Sequence, residues 1–169
     1  DKRSEPPVLA ISEDGSAVVP LLGGHNGANR LARELAASLG VQAAVTTAGD
    51  VSLGLALDDP PPGWVISNPE AAKPVAAALL AGHAIGLQVD SGDAGWLTET
   101  DVTFIEGMSP AVTVTHKTNR SNGDRLVLHP PVLALGVGCE RDCATDELIA
   151  LMEETLANAS LAPESITCV

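Results

Sequence analysis

A glycine-rich turn between an apolar run and an amphipathic run constrains this chain more than any other feature. Ala17 to Leu22 reads as a short strand and leads directly into Gly23-Gly24-His25-Asn26-Gly27-Ala28-Asn29. Ala28, Leu31, Ala32, Leu35, Ala36 and Leu39 then recur at three- and four-residue spacing, which predicts a helix with one apolar face. Gly40 is a plausible helix stop, and Gln42 to Thr46 reads as another strand that closes a β-α-β unit. Upstream, Val8 to Ile11 is a further strand, joined to Ala17–Leu22 by the hairpin-like turn Glu13-Asp14-Gly15.

The same grammar continues downstream. Asp58-Asp59-Pro60-Pro61-Pro62-Gly63 cannot extend regular structure and reads as a linker or surface crossing. Trp64 to Ile66 is a short strand. Asn68 is a good N-cap residue, with Pro69 at the first helical position and Glu70 at the positive helix end, so a helix is expected over Pro69–Ala81, stopping at Gly82. Ile85–Val89, Ala111–Thr115 and Val132–Val137 are strand candidates. A helix over Thr145–Asn158 would bury Leu148, Ile149, Leu151, Met152 and Leu156, and Ile166–Val169 begins another strand. Asn119–Asp124 reads as a polar turn, and His129-Pro130-Pro131 as a boundary in which His129 belongs to a linker. Repeated strand, glycine turn and helix predict an α/β fold, with mainly parallel sheets, flanking helices and Rossmann-like partial domains.

Composition narrows the function classes. The core must be aliphatic, because the chain has one Phe, two Trp and no Tyr, and such a core suits a parallel sheet covered by helices. A net charge of −13 argues against nucleic acid and anionic membrane as partners. It also means that any anion site is built locally, from backbone amides or a few Arg and Lys. No apolar run reaches the length of a membrane span, and no signal peptide opens the chain. Cys139, Cys143 and Cys168 form no regular framework, which predicts reduced thiols and a cytoplasmic setting. The opening Asp1-Lys2-Arg3 is not a natural initiation sequence and suggests a trimmed piece.

The Gly23–Asn29 turn is the first candidate site. Its glycines allow close backbone approach, the amides of the following helix start can hold an anion, and His25 and Asn26 stand where side chains meet ligands at the carboxyl end of a sheet. A tight structural turn with an exposed His explains the same residues equally well. The glycine spacing is not that of a dinucleotide fingerprint. Asp50, in Thr46-Thr47-Ala48-Gly49-Asp50, either orients a histidine or activates water, or simply caps a turn. Arg141, in Gly138-Cys139-Glu140-Arg141-Asp142-Cys143, is suited to bidentate carboxylate binding. The two cysteines there match no common zinc spacing, and packing or loop thiols are the simpler reading. His116, Lys117, Arg120 and Arg125 form the one basic cluster, for substrate carboxylates or as a solvated loop.

The run Pro20 to Asn29, continuing through Leu31-Ala32 to Thr46-Thr47-Ala48-Gly49-Asp50, resembles the signature of the cobalamin biosynthesis G-type proteins, the cobalt-precorrin-5A hydrolase family. Asn68-Pro69-Glu70-Ala71-Ala72-Lys73 with Leu79-Leu80-Ala81-Gly82 resembles the family's middle region, and Leu135 to Arg141 the start of its C-terminal domain, although Glu140 and Asp142-Cys143 depart from the usual Arg- and Gly-rich turn. The resemblance implies three segments: 1–58 as the end of an N-terminal α/β domain, 59–129 as a middle region and 130–169 as the beginning of a C-terminal α/β domain.

It also implies a reaction, opening of the δ-lactone of cobalt-precorrin-5A with release of acetaldehyde to give cobalt-precorrin-5B. In that reading His25 is the base or acid, Asn26 and the amides of the turn are oxyanion or carboxylate donors, and Asp50 is a second catalytic candidate. Gly23, Gly24, Gly27, Asn29 and Arg141 bind substrate. No cofactor and no protein-held metal are implied, since the cobalt belongs to the corrinoid substrate. The resemblance leaves room for a homo-oligomer and for a precorrin-3B C17-methyltransferase fused or encoded alongside. A partial chain of such a protein is expected to be poorly active by itself. Two other readings remain: a non-catalytic corrinoid-binding module, and a plain scaffold.

Overall fold

The computed structural model describes residues 5–45, 55–118 and 124–169, with the side chain of His25 outside that description. The chain forms two compact units, Asp1–Asp59 and Pro60–Val169. The division falls within the run of acids and prolines that cannot sustain a helix or strand.

In the first unit β1 (Val8–Ile11) and β2 (Ala17–Leu22) pair antiparallel. Asp14 closes their turn: one carboxylate oxygen accepts from the Ser16 N–H at 3.0 Å and from the Ser16 hydroxyl at 2.7 Å. The chain then passes through the glycine turn into α1 (Ala28–Leu39) and returns as β3 (Gln42–Ala43), parallel to β2, giving the sheet order β1-β2-β3. The expected β-α-β unit is therefore present. Its packing face is narrower than the leucine spacing implies. Ala28, Ala32 and Ala36 are buried, the last two packing with Val18 in the core, whereas Leu31 and Leu39 are 38% and 50% exposed. Side chains that end at Cβ let the helix lie close on the sheet; Leu35 packs partly buried against this core, while Leu31 and Leu39 lie at the flanks.

The second unit holds β4 (Val65–Ile66), α2 (Ala72–Leu80), β5 (Gly86–Val89), α3 (Gly95–Thr98), β6 (Ala111–Val114) and β7 (Arg125–His129). The sheet order is β4-β7-β6-β5, with β5, β6 and β7 mutually parallel and β4 antiparallel at the edge. After it come β8 (Leu133–Ala134), α4 (Thr145–Asn158) and β9 (Ile166–Cys168), with β8 and β9 parallel. The fold is α/β.

Several expectations are corrected here. Arg125, read with a basic loop, and His129, read as linker, are the two ends of β7, an interior strand whose Leu126, Val127 and Leu128 are fully buried. A strand covered on both faces shows no alternation, and its polar ends disguised it. His129 is not in a linker. It is 2% exposed, and its Nδ1 lies 2.7 Å from the Thr115 carbonyl, which can only accept, so Nδ1 carries the proton.

Asn68 makes no side-chain cap bond, and a 3-10 turn over Pro69–Ala71 precedes α2. Its Nδ2 instead donates to the Arg125 carbonyl at 2.7 Å, and its Oδ1 accepts from the Val127 N–H at 2.8 Å. The Ser67 N–H donates to the Val127 carbonyl at 3.0 Å, so the Asn68 amide prolongs the β4–β7 ladder by one more rung. The strand expected over Val132–Val137 is reduced to Leu133–Ala134, as glycines at 136 and 138 offer nothing to pack. On α4, Leu156 is buried but Ile149 and Leu151 are 43% and 58% exposed. At about 100° per residue Ile149 and Leu151 point to opposite sides, so no single face holds both.

Candidate functional site

The turn that follows β2 is built as one locked piece. Gly23 has φ 70, and a Cβ there would lie 2.7 Å from the Pro6 carbonyl oxygen, so both conformation and space exclude a side chain. Gly24–Asn26 forms a single 3-10 turn, and Gly27, at φ 90, precedes α1. The Asn26 and Ala28 amides both donate to the Gly23 carbonyl, at 2.8 and 3.0 Å. The Asn26 Nδ2 donates to the Glu5 carbonyl at 2.8 Å, which ties the turn to the segment entering β1. Asn29 is buried, with its carboxamide 3.4 Å from where a Gly24 Cβ would stand. A Cβ at Gly24 would thus meet Asn29 at ordinary contact distance.

Five of the predicted site residues, Gly23, Gly24, Asn26, Gly27 and Asn29, thus lie together at the carboxyl end of β2 in the β2–β3 parallel pair, which in open α/β sheets is the ligand edge. His25 occupies the middle of the 3-10 turn by its backbone, and its side chain is outside the described part. Asp50 lies outside the described residues. Arg141 belongs to the second unit, on an exposed turn in which Asp142 has φ 67.

A residue the sequence reading passed over stands beside the turn. The Arg30 guanidinium lies 3.2 Å from where a Gly27 Cβ would stand. Its Nη1 is 3.3 Å from an Asp59 carboxylate oxygen and its Nε 4.0 Å from Glu34. A cation in the first helical turn, two residues past Ala28, was the available signal. That signal is weak in a chain of net charge −13 whose richest basic run lies downstream.

That downstream run does not act as one cluster. Arg125 begins β7, opposite Ala111, and its Nη1 donates to the Gln88 side-chain oxygen at 2.9 Å and the Thr113 hydroxyl at 3.1 Å. His116 and Lys117 follow the carboxyl end of β6, the opposite end of the sheet. Arg120 lies outside the described residues. All three thiols are free. Among the described residues no helix is long and apolar enough to cross a membrane.

Two α/β units, the first carrying a glycine turn at the carboxyl edge of its parallel strands, place the chain in the α/β class, in which that edge is the usual position for a ligand. The family model described as Cobalamin synthesis G N-terminal matches residues 1–50, and the one described as Cobalamin biosynthesis central region matches residues 61–130. Together they cover most of the chain, which belongs to the cobalamin biosynthesis G family. Curated relatives include proteins named cobalt-precorrin-5A hydrolase from Priestia megaterium, 30% identical over 98% of this chain and 50% of the relative, and from Salmonella typhimurium strain LT2, 29% identical over 100% and 52%. The chain spans about half the length of these relatives. A solved structure of a cobalamin biosynthesis protein G homolog from Sulfolobus solfataricus is 24% identical over 98% of this chain and 50% of that one, with a TM-score of 0.34.

Proposed function

We propose that this chain belongs to a cytoplasmic hydrolase that opens the δ-lactone of cobalt-precorrin-5A and releases acetaldehyde, leaving cobalt-precorrin-5B. The observation that carries the reading is the preformed Gly23–Asn29 turn, within a segment matched by the family's N-terminal model. Relatives bearing the hydrolase name support it.

The chemistry asks for water activated against a lactone carbonyl, stabilisation of the resulting oxyanion, and then carbon–carbon cleavage. His25 takes the role of base or acid, with Asp50 as a second candidate. The amides at the start of α1 face developing or resident negative charge. In this reading Asn26 positions the turn through its bond to Glu5, and Asn29 supports Gly24 from behind. Arg30 meets a substrate carboxylate by exchanging it for Asp59. The cobalt arrives with the substrate. Arg141, in the second unit, is a candidate for binding a carboxylate in its own right.

Anaerobic incubation with cobalt-precorrin-5A, using the protein at its full natural length, tests this by trapping acetaldehyde. Acetaldehyde in step with loss of the lactone supports the hydrolase. Tight corrinoid binding without acetaldehyde makes the protein a binding module, and no corrinoid binding refutes both.

A further inference from the structure

The second unit has a carboxyl edge of its own. β5 ends at Val89 and runs into Asp90-Ser91-Gly92-Asp93 and then α3, while β6 ends at Val114 and runs into Thr115-His116-Lys117. These two segments lie side by side because β5 and β6 are paired in register from Gly86↔Ala111 to Val89↔Val114. The main chain fixes both. The Asp90 N–H donates to the Val114 carbonyl at 2.8 Å, the Ala162 N–H donates to the His116 carbonyl at 2.9 Å, and Lys117 bridges to Leu161. Below them His129 holds the Thr115 carbonyl.

The side chains on this fixed frame are acidic, basic and aromatic. Asp90 is held below the ordinary carboxylate range, chiefly by the Gln88 amide, whose Nε2 donates to it at 2.9 Å. Partial burial opposes this, and the Thr115 hydroxyl and the charges of Lys117 and His116 reinforce it. Both tryptophans of the chain converge here. Trp64 precedes β4, whose Val65 pairs with His129, and Trp96 lies on α3; their ring centroids are 5.5 Å apart at 82°. Gly92 brings the segment after β5 against Pro130, where a Cβ would meet the proline ring at 2.7 Å.

Among the described residues four side-chain polar atoms are buried without a hydrogen-bond partner, and three of them, Ser91 Oγ, Trp96 Nε1 and His116 Nδ1, belong to these two segments. Buried polar atoms are almost always paired, and each orphan costs about 1–3 kcal/mol. An indole N–H is a donor only, so the partner it lacks is an acceptor. Three unpaired polar atoms, one of them a donor only, thus share this strand edge with an exposed lysine and an aromatic pair.

We propose that the carboxyl edge of β5 and β6 is a second ligand site, which takes a carboxylate-bearing ring compound. Lys117 and His116 receive the carboxylate, Ser91 and Trp96 donate to its acceptor atoms, Asp90 holds the two basic groups in place, and the tryptophan pair forms the apolar wall. That the ring is a corrinoid rests on the function proposed above; that the site takes carboxylates does not.

Two probes separate these claims: dicyanocobyrinic acid, a corrin with free carboxylates, and tricarballylate, which has carboxylates and no ring. The readout is NMR of the ¹⁵N-labelled 169-residue chain, following the Trp96 indole and His116 ring signals. The expected result is saturable movement of both signals with the corrin acid, about tenfold weaker in Lys117→Gln, corresponding to the loss of one charge-assisted contact. Trp96→Phe, which keeps a ring and removes the N–H, also weakens it. Movement with tricarballylate but not with the corrin acid upholds the carboxylate site and defeats the corrinoid reading. Corrin binding that moves the amides of Gly23–Asn29 and leaves Trp96 and His116 still overturns the present inference and spares the proposed function. Silence of both signals with both probes, or binding indifferent to Lys117→Gln, also overturns it.

Discussion

Removing the Asn68 carboxamide should loosen the second unit out of proportion to the size of the side chain. In Asn68→Ala the Arg125 carbonyl loses a donor at 2.7 Å and the Val127 N–H loses an acceptor at 2.8 Å. Asn68 is buried, and both orphaned groups belong to β7, an interior strand of its sheet. An unsatisfied buried group costs about 1–3 kcal/mol. Two of them, partly relieved by water entering at the edge of β4, give about 2–4 kcal/mol. Urea unfolding followed by tryptophan fluorescence is the assay, since Trp64 and Trp96 both lie in the unit Pro60–Val169 and there is no Tyr. Asn68→Ser and Asn68→Asp decide the cause. Serine and aspartate are as good as asparagine at a helix N-cap, but neither supplies a donor and an acceptor at the same reach. Both should therefore be destabilised nearly as much as the alanine variant. If serine and aspartate hold native stability while alanine loses about 1 kcal/mol, Asn68 is a cap and the ladder argument is wrong.

Gly23→Ala should cost at least about 1–2 kcal/mol, from its left-handed backbone and the approach to Pro6, and should shift the NMR signals of the Glu5–Pro6 segment; a neutral result would refute the locked turn. His25→Ala, assayed for acetaldehyde release in the protein at its full natural length, should lower turnover by roughly 10²–10⁴-fold with the fold intact, and unchanged turnover would leave His25 a turn residue. The Asp14 carboxyl, drawn down to about 2 by the Ser12 and Ser16 hydroxyls and the Ser16 amide, should titrate there by NMR and rise in Ser12→Ala. Because the folded value lies below the ordinary 3.8, this turn's contribution is present above pH 3.8 and fades as pH falls through about 2. Under reducing conditions Cys139, Cys143 and Cys168 should all react with a thiol reagent without denaturant, Cys143 slowest as the least exposed.

Local chemistry was legible wherever a segment carried its own punctuation. Gly15 lies in the expected hairpin turn, Gly40 and Gly82 follow the ends of their helices, and β2 and α1 run between the residues that spacing indicated. What escaped depended on partners distant in sequence. Arg125 and His129 look like loop residues until Gln88, Thr113 and Thr115 are beside them. Asn68 has the composition of a cap and the role of a rung, because its partners lie 57 and 59 residues away. At the candidate site the glycine turn was visible as a pattern. Arg30 was not, since its relation to Gly27 and Asp59 exists only once the turn has closed.

The polar ends of β7 have a consequence for how the sheet chooses its alignment. Between them both β6 and β7 are aliphatic or nearly so, Val112-Thr113-Val114 against Leu126-Val127-Leu128, and both faces are buried. A slip of one residue would exchange one apolar face for another at little hydrophobic cost, unlike a sheet with one wet face. The mis-set alternative is penalised at the two ends instead. Arg125 would lose the Thr113 hydroxyl and Gln88, and His129 would face a peptide other than that of Thr115. The arginine and the histidine thus act as end stops, admitting one alignment of an otherwise slippery pair of strands. Replacing both would leave a sheet that still collapses but no longer discriminates its own register.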